Sequence, residues 1–263
     1  MMVMSSLLER GIKVLELLAG QPQGMALSAI ATATDMPLSA THRLLAELVR
    51  VGYVRQMREQ GDYVLTIKLV SLGLGFLSAS GMVDVAQPSL DALAESAREL
   101  VRLAIVDGDE LVFVAKAQGA TRGLRYDPDM GLSVRLSCSA AGHAWLSTLS
   151  DDAALALVAK QGLGDPKNHG PRAPTTLSAL LTCLRATRRR GYAMVSDMFA
   201  PAMASMAAPV VHRGVTLGAV TIAGPMVRMT EERMAALSDA LRHAAEEVAS
   251  LSASSTLFRR RAA

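Results

Sequence analysis

The first 70 residues alternate amphipathic segments with turn-forming residues. Four apolar residues at helical spacing predict a first helix with one buried face: Leu8, Ile12, Leu15 and Leu18. Two further helices are predicted, a short one capped by Ser28 and a longer one from about Ser39 to Gly52. The longer helix is expected to bury Leu44, Leu45, Leu48 and Val51. This order is typical of a helix-turn-helix unit.

Two strand-like runs follow, at 53–54 and 63–65, on either side of the polar turn 59–62. A hairpin after the second helix of such a pair is the wing of a winged helix. The proposed recognition helix has one face made of short or cationic residues, namely Ser39, Arg43, Ala46 and Arg50. Arg55 and Arg58 would place positive charge on the wing, where DNA phosphates could be met. A plain packing unit with a solvated charged face explains this pattern equally well, so DNA binding stays open at this point.

Residues 68–82 are apolar and glycine-bearing, with no charge after Lys68. This favours a connecting helix packed on a partner chain over a flexible linker. Helices are then predicted near 85–100, 140–149, 151–160, 176–190 and 230–251. Strand pairs are predicted at 101–106 with 111–117 and at 209–212 with 215–222. The fold class is therefore expected to be α+β with an antiparallel sheet, divided into domains 1–67 and 83–263 by a linker helix at 68–82.

Composition limits the choices further. The chain has 263 residues and is 51% hydrophobic, which is enough for one large or two modest domains. The net charge is only +3, but residues 37–58 hold four arginines against one glutamate. No apolar run is long enough to cross a bilayer, and no signal peptide is visible. Cys138 and Cys183 are too far apart to suggest a disulfide framework or a metal cluster. We expect a cytoplasmic protein without a membrane segment, cofactor or metal.

Six stretches of the chain, in order, resemble signatures of the IclR family of bacterial transcription regulators. They are MPLSATHRLLAELVRVGYV, RLAIVDGDELVFVAKAQG, SCSAAGHAWLSTLSDD, RRRGYAMVSD, MAAPVVHRGVTLGAVTIAGPMVR and AAEEVASL. The resemblance spans about residues 6–252. It implies a winged helix-turn-helix domain, a linker helix and a GAF-like effector-binding domain. It also implies a homodimer, often paired into a tetramer, that binds double-stranded operator DNA and controls a small catabolic gene set.

The resemblance carries DNA contacts onto particular positions. It places four residues at the start of the recognition helix, with Ala40 standing where threonine is common: Ser39, Ala40, His42 and Arg43. Arg10 occupies a position of the first helix that is usually basic. Together with the wing residues Arg55 and Arg58, these form the expected DNA-contact set.

The resemblance also implies an effector pocket built from three segments. They are the helix start with Ser139, Ala140 and Ala141, the strand around Ser205, and the strand bearing Thr221 and Ala223. Asp197 belongs to an acidic segment that precedes the second piece. The chain departs from the family pattern at several positions: His143 replaces the usual lysine, Ser205 a frequent cysteine and Ala202 a common glycine. These departures concern the identity of the effector more than the fold.

The chemistry of these residues predicts a small organic acid as the effector, with an aromatic carboxylate favoured and a short aliphatic acid next. Unpaired N–H groups at the start of the helix at 140–149 could hold a carboxylate without a buried lysine or arginine. Hydroxyls of Ser139, Ser205 and Thr221 could add hydrogen bonds, although a satisfied backbone bond is the alternative for each. An apolar wall is expected from Tyr126, Leu136, Trp145, Met203 and Met206, with core packing the alternative for Trp145.

Two other functions remain as alternatives. A hydrolase-like enzyme would use Cys138 or Ser139 as the nucleophile and His143 as the base, but no third, orienting residue can be identified. An architectural DNA-binding protein would use its second domain for dimerisation without a ligand. The sequence favours a ligand-responsive transcription regulator that is not an enzyme.

Overall fold

The computed structural model describes residues 6–58, 61–128, 133–164 and 168–251. The chain divides into two compact units, the first ending at Ala79 and the second beginning at Ser80. Across the described ranges, no helix has both the length and the apolar character needed to cross a membrane.

The first unit contains α1 (Leu7–Ala19), α2 (Leu27–Thr34), α3 (Leu38–Arg50), β1 (Val54–Gln56), β2 (Tyr63–Leu65) and α4 (Ile67–Ser80). A capping box starts α1, because the Ser6 hydroxyl accepts the Glu9 N–H and the Glu9 carboxylate accepts the Ser6 N–H. The cap predicted for α2 is wrong: Ala26 occupies that position and Ser28 lies inside the first turn.

The helices of this unit close around one small apolar core that includes Val14, Leu18, Ile30, Leu45 and Tyr63. The buried face of α1 runs through Gly11, Val14 and Leu18. The predicted burial of three other apolar residues is wrong, since Leu8, Ile12 and Val51 are 72%, 46% and 37% exposed. Leu8 and Ile12 lie beside the buried stripe of α1, and Val51 lies beyond the last turn of α3.

The described residues of the second unit form five strands: β3 (Leu100–Asp107), β4 (Glu110–Gln118), β5 (Ala193–Ser196), β6 (Met203–His212) and β7 (Val215–Pro225). Its helices are α5 (Met82–Ala97), α6 (Ala140–Ser147), α7 (Asp151–Gln161), α8 (Leu177–Arg190), α9 (Glu231–Ala236) and α10 (Ser238–Leu251). The strands form one antiparallel sheet in the order β4-β3-β7-β6-β5, which confirms the predicted α+β class.

Several element bounds differ from those predicted, and β5 was not predicted as a strand; the two largest differences are in β6 and in the C-terminal helix. β6 begins at Met203 instead of 209, because small residues with low strand propensity nevertheless pair in register with β5 and β7. The single predicted C-terminal helix is divided at Leu237 into α9 and α10. The earlier start of β6 brings Ser205 into the sheet, opposite Ala223 of β7.

The sheet separates two apolar layers. Val101 and Leu103 of β3 belong to the layer that contains α5 and α10, whereas Ala104 belongs to the layer that contains α6 and α8. Successive side chains of a strand point to opposite faces, so Arg102 shares the face of Ala104. α6 lies close to the chain segment before it, and a Cβ on Gly142 would overlap the backbone of Leu136. The face of the sheet that carries Arg102 is therefore the one covered by the start of α6.

Candidate functional sites: an exposed helix and a buried cavity

The recognition helix predicted from the sequence is α3, and its polar side is open to solvent. Ser39, His42 and Arg43 are exposed and border a shallow depression, whereas Thr41 and Leu45 are buried beneath them. Arg50, further along α3, is paired with Glu47 at 2.7 Å. The predicted contact residues of α3 thus share an accessible surface, with Ala40 half-buried at its border.

The other predicted DNA contacts lie on two neighbouring elements. Arg55 is on β1, which pairs with β2 to form the hairpin, and Arg58 follows it; both side chains are exposed. Arg10 is half-buried on α1. Residues 59–60 of the predicted turn lie outside the described residues. The hairpin therefore presents two arginines to solvent, as phosphate contacts require.

The second unit encloses a cavity of about 110 Å³ between the start of α6 and the sheet. Eight of the twelve predicted effector residues line it: Tyr126, Ser139, Ala140, Ala141, Met203, Ser205, Thr221 and Ala223. They come from the segment after β4, from α6, and from β6 and β7. The fold thus brings residues separated by almost 100 positions to one enclosed site.

The other four predicted effector residues do not belong to the described lining of this cavity. Leu136 is buried beneath Gly142, and Met206 belongs to the apolar layer with α5 and α10. Trp145 is directed into the core between α6, α8 and the sheet, so the core-packing alternative holds for it. Asp197 has a φ of 61°, and its carboxylate accepts the Ala202 N–H at 2.8 Å. That carboxylate holds the turn between β5 and β6 instead of facing a ligand.

The polar groups at the start of α6 are partly engaged. The Ser139 hydroxyl donates to the Arg135 carbonyl at 2.6 Å and accepts the Gly142 N–H at 3.0 Å, so it caps the helix. The N–H groups of Ala140 and Ala141 have no acceptor within the helix, because they belong to its first turn. These two N–H groups, with the positive end of the helix dipole, are the donors left for a ligand.

Sequence reasoning missed the most unusual residue of the cavity wall, Arg102. Its side chain is buried, and its guanidinium carbon lies 3.6 Å from the centre of the Phe113 ring and 6.0 Å from that of Tyr126. Among the residues that the structure describes, no group accepts a hydrogen bond from Arg102 Nε. The signal was an arginine inside the apolar run 100–106, on the strand face opposite Val101 and Leu103. Phe113, Val195 and Phe199 were missed as apolar wall residues.

Burial changes the pKa values of the two titratable side chains in this wall, Arg102 and Tyr126. It lowers the pKa of Arg102, an effect that the neighbouring Tyr126 hydroxyl and the Asp127 carboxylate oppose. Burial also raises the pKa of Tyr126. Arginine remains protonated in proteins, so the cavity carries a positive charge at neutral pH.

The geometry around Cys138 does not support a nucleophile with its base. His143 Nε2 lies 2.8 Å from the Ser137 carbonyl oxygen, and burial lowers the pKa of this imidazole. The Ser139 hydroxyl is engaged as the helix cap. Burial raises the pKa of the Cys138 thiol to about 11, which keeps it protonated. The hydrolase-like alternative is therefore not supported.

Comparisons with known proteins agree with this geometry. Residues 7–58 match the IclR helix-turn-helix domain, and residues 75–250 match the bacterial transcriptional regulator IclR C-terminal family. The chain is 31% identical over 246 residues to the acetate operon repressor of Salmonella typhimurium. It is 30% identical over 247 residues to the transcriptional repressor IclR of Escherichia coli. Each match covers 92% of this chain and 88% of the relative.

The same fold occurs in a solved IclR homolog from Microbacterium hydrocarbonoxydans, complexed with 4-hydroxybenzoate. Its TM-score is 0.79 at 23% sequence identity, and the match covers 95% of this chain and all of the other. At this identity the likeness concerns the fold alone.

Proposed function

We propose that this chain, which belongs to the IclR family of bacterial transcription regulators, represses transcription from an operator and is controlled by a small organic acid. It is a DNA-binding regulator and not an enzyme. The observation that carries the effector half of the proposal is the enclosed cavity at the start of α6. A repressor of this kind works in the cytoplasm, where bacterial DNA lies.

The DNA half of the proposal rests on α3 and the hairpin. Ser39, Ala40, His42 and Arg43 would enter the major groove, because short and cationic side chains on an exposed helix face permit close approach to bases. Arg10, Arg55 and Arg58 would contact phosphates. Two copies of the chain would present two such helices to a near-palindromic site. Repression is favoured by the names of the relatives that are about 30% identical.

Self-association is supported by the exposed apolar side chains of α4. Five of them are more than half exposed: Ile67, Val70, Leu72, Leu74 and Phe76. Such a surface is unfavourable in water and fits burial against a second copy of the chain. We propose a homodimer, which can pair further into a dimer of dimers.

The size and walls of the cavity favour a compact acid. A cavity of about 150 Å³ is known to bind benzene, so about 110 Å³ limits the ligand to at most one ring or a shorter aliphatic acid. Ala140 and Ala141 offer N–H donors, and Ser205 offers a hydroxyl. The Thr221 hydroxyl already donates to the Arg102 carbonyl at 3.4 Å, so it would serve a ligand only as an acceptor. Apolar side chains of Phe113, Phe199 and Met203 would contact the rest of the ligand, together with Val195. An aromatic carboxylate is the leading choice, as the 4-hydroxybenzoate bound by the structural neighbour also suggests.

The experiment that tests the effector site is Ala141→Leu. Ala141 is buried in the cavity wall, so the longer side chain should fill the space that the ligand needs. Thermal shifts with benzoate, 4-hydroxybenzoate and pyruvate should appear in the wild type and disappear in the variant. Fluorescence anisotropy with an operator fragment should show unchanged DNA binding.

Ala153→Leu, on the exposed side of α7, is the matched control and should keep the thermal shift. If none of the three acids stabilises the wild type, the proposed effector class is wrong and a ligand-free architectural role gains ground. If an acid stabilises the Ala141→Leu variant as strongly as the wild type, the ligand occupies another cleft.

A further inference from the structure

Arg102 lies in the middle of β3, between Lys116 of β4 and Thr221 of β7 in the sheet register. Its side chain is directed to the face of α6, where it forms part of the cavity wall. Only 7% of the residue is exposed, yet Arg102 Nε has no hydrogen-bond acceptor in the described part of the chain. An arginine of this kind is rare in a fold, because buried polar groups are almost always paired.

The described lining of the cavity supplies no carboxylate to balance this charge. Of the described acidic residues, Asp127 is the one that influences Arg102 electrostatically, and its carboxylate is paired with Lys116 at 2.7 Å and Arg125 at 3.3 Å. Burial of a cation costs free energy unless an anion or hydrogen-bond acceptors compensate it. The rings of Phe113 and Tyr126 compensate part of that cost through cation–π contacts. They leave the Nε–H donor unused.

The two kinds of donor in the cavity differ in what they recognise. The N–H groups of Ala140 and Ala141 are neutral dipoles, and they can donate to a carbonyl or hydroxyl oxygen as well as to a carboxylate. A guanidinium gains much more from an anionic oxygen than from a neutral one. A ligand with a negative charge would also balance the buried charge of the guanidinium that lines the cavity.

We propose that Arg102 is the residue that makes the cavity selective for an acid over its neutral analogue, by pairing with the effector's carboxylate. This inference rests on the proposed function and adds the group that reads the ligand's charge. Phe113 holds the guanidinium in place by stacking on it, so that little side-chain entropy is lost on binding. The N–H groups at the start of α6 then orient the ligand, whereas Arg102 selects for its charge.

The test compares benzoate with benzamide, two probes of almost the same shape that differ in charge. Titration calorimetry should show that the wild type binds benzoate at least about tenfold more tightly than benzamide. Arg102→Met should weaken benzoate binding by about tenfold to a hundredfold, the effect of one hydrogen bond to a charged group, and leave benzamide within about threefold. Arg102→Lys should keep the preference for benzoate, since it keeps the charge. Arg122→Met, which removes one exposed arginine of the same unit, should change neither affinity.

A thermal melt without ligand separates this role from a purely structural one. Methionine fills a similar volume and removes an unpaired buried donor, so Arg102→Met should melt at the wild-type temperature or above it. If Arg102 only stabilised the fold, the variant would have a lower melting temperature and would lose affinity for benzoate and benzamide equally. If the methionine variant fails to fold, the affinities of Arg102→Gln for benzoate and benzamide can be compared with those of the wild type instead. Equal binding of benzoate by wild type and variant overturns the inference and leaves the effector proposal standing. If benzoate, 4-hydroxybenzoate and pyruvate all fail to bind the wild type, the effector proposal itself fails.

Discussion

The two units of the chain place their candidate functional residues in opposite environments. In the first unit, Ser39, His42 and Arg43 are exposed on a helix whose other face is an ordinary apolar core. In the second unit, Arg102 and Thr221 are buried in a cavity wall. An exposed site is compatible with a filled core in which buried polar groups are paired. A buried site departs from both of these rules. The departures themselves, a cavity within the unit and a buried Nε–H without an acceptor among the described residues, therefore locate the second candidate site.

The same contrast exists within one strand. Val101 and Leu103 contribute to a closed apolar layer with α5 and α10, and Arg102 between them faces a cavity. Backbone alternation alone separates these environments. One strand can thus stabilise the unit on one face and offer ligand contacts on the other.

The largest effect is expected from substitutions on α4, whose surface is neither an exposed polar site nor a buried cavity. The side chains of α4 are apolar but exposed, so Leu72→Glu combined with Phe76→Glu should prevent their burial against a second copy. Sedimentation velocity at micromolar concentration should show monomers, and operator affinity should fall by orders of magnitude because only half-sites can be bound.

Ser178→Glu combined with Thr182→Glu is a control with the same charges and spacing on the exposed side of α8, and it should leave assembly unchanged. A wild-type protein that sediments as a monomer at this concentration would contradict the proposal. In that case the exposed side chains of α4 need a different explanation.

The contrast also explains what sequence alone could provide. The helices of the first unit were predictable because apolar spacing encodes them locally, although the cap predicted for α2 was wrong. The burial of Leu8 and Ile12 was predicted wrongly, since the apolar residues of α1 extend around more than one side and periodicity does not say which side packs.

The cavity was harder to predict, because its wall comes from segments that the sheet brings together. Family resemblance located Ser139, Ser205 and Thr221, which the fold then places around one space. The apolar character of the sequence also suggested Trp145, but the direction of a side chain on a short helix depends on packing. Arg102 was visible as a charge in an apolar strand. Its neighbours Phe113 and Tyr126 became apparent only from the register and the segment after β4.

Arg43→Ala tests whether the exposed surface of α3 reads bases. Arg43 is exposed and forms no ion pair with any described residue, unlike Arg50. Its loss should weaken operator binding by about 1–3 kcal/mol per half-site, the range for a good base contact. The melting temperature should stay the same, because no core contact is removed. Fluorescence anisotropy with operator and unrelated DNA measures both the affinity and its specificity.

The wing arginines provide the contrast to Arg43. Removal of Arg55 and Arg58 should weaken operator and unrelated DNA alike and reduce the salt dependence, since phosphate contacts carry no sequence information. Arg189→Ala, an exposed arginine of the second unit, controls for the change in net charge. If Arg43→Ala weakens unrelated DNA as much as the operator, Arg43 contacts phosphates and not bases.

The smallest effect concerns the two cysteines, which test whether burial alone makes a residue functional. Cys138 is fully buried and its pKa is raised to about 11, while Cys183 is half-buried in α8. At pH 8 the Cys138 thiolate should be about a hundredfold rarer than that of a thiol with the ordinary pKa near 9. Iodoacetamide followed by mass spectrometry should therefore modify Cys183 first, and both cysteines at similar rates in urea.

The shift in pKa also gives a pH dependence with a definite sign. A thiol whose pKa is raised on folding favours the folded state below its ordinary pKa, and this contribution is lost as the pH rises from about 9 towards 11. The second unit should therefore become less stable over that range, and Cys138→Ala should reduce the decrease. If Cys138 were instead modified faster than Cys183 at pH 8, an activated thiol near His143 would have to be reconsidered. Slow modification would mean that Cys138 is buried for packing, in contrast to Arg102, whose buried side chain lines the proposed effector cavity.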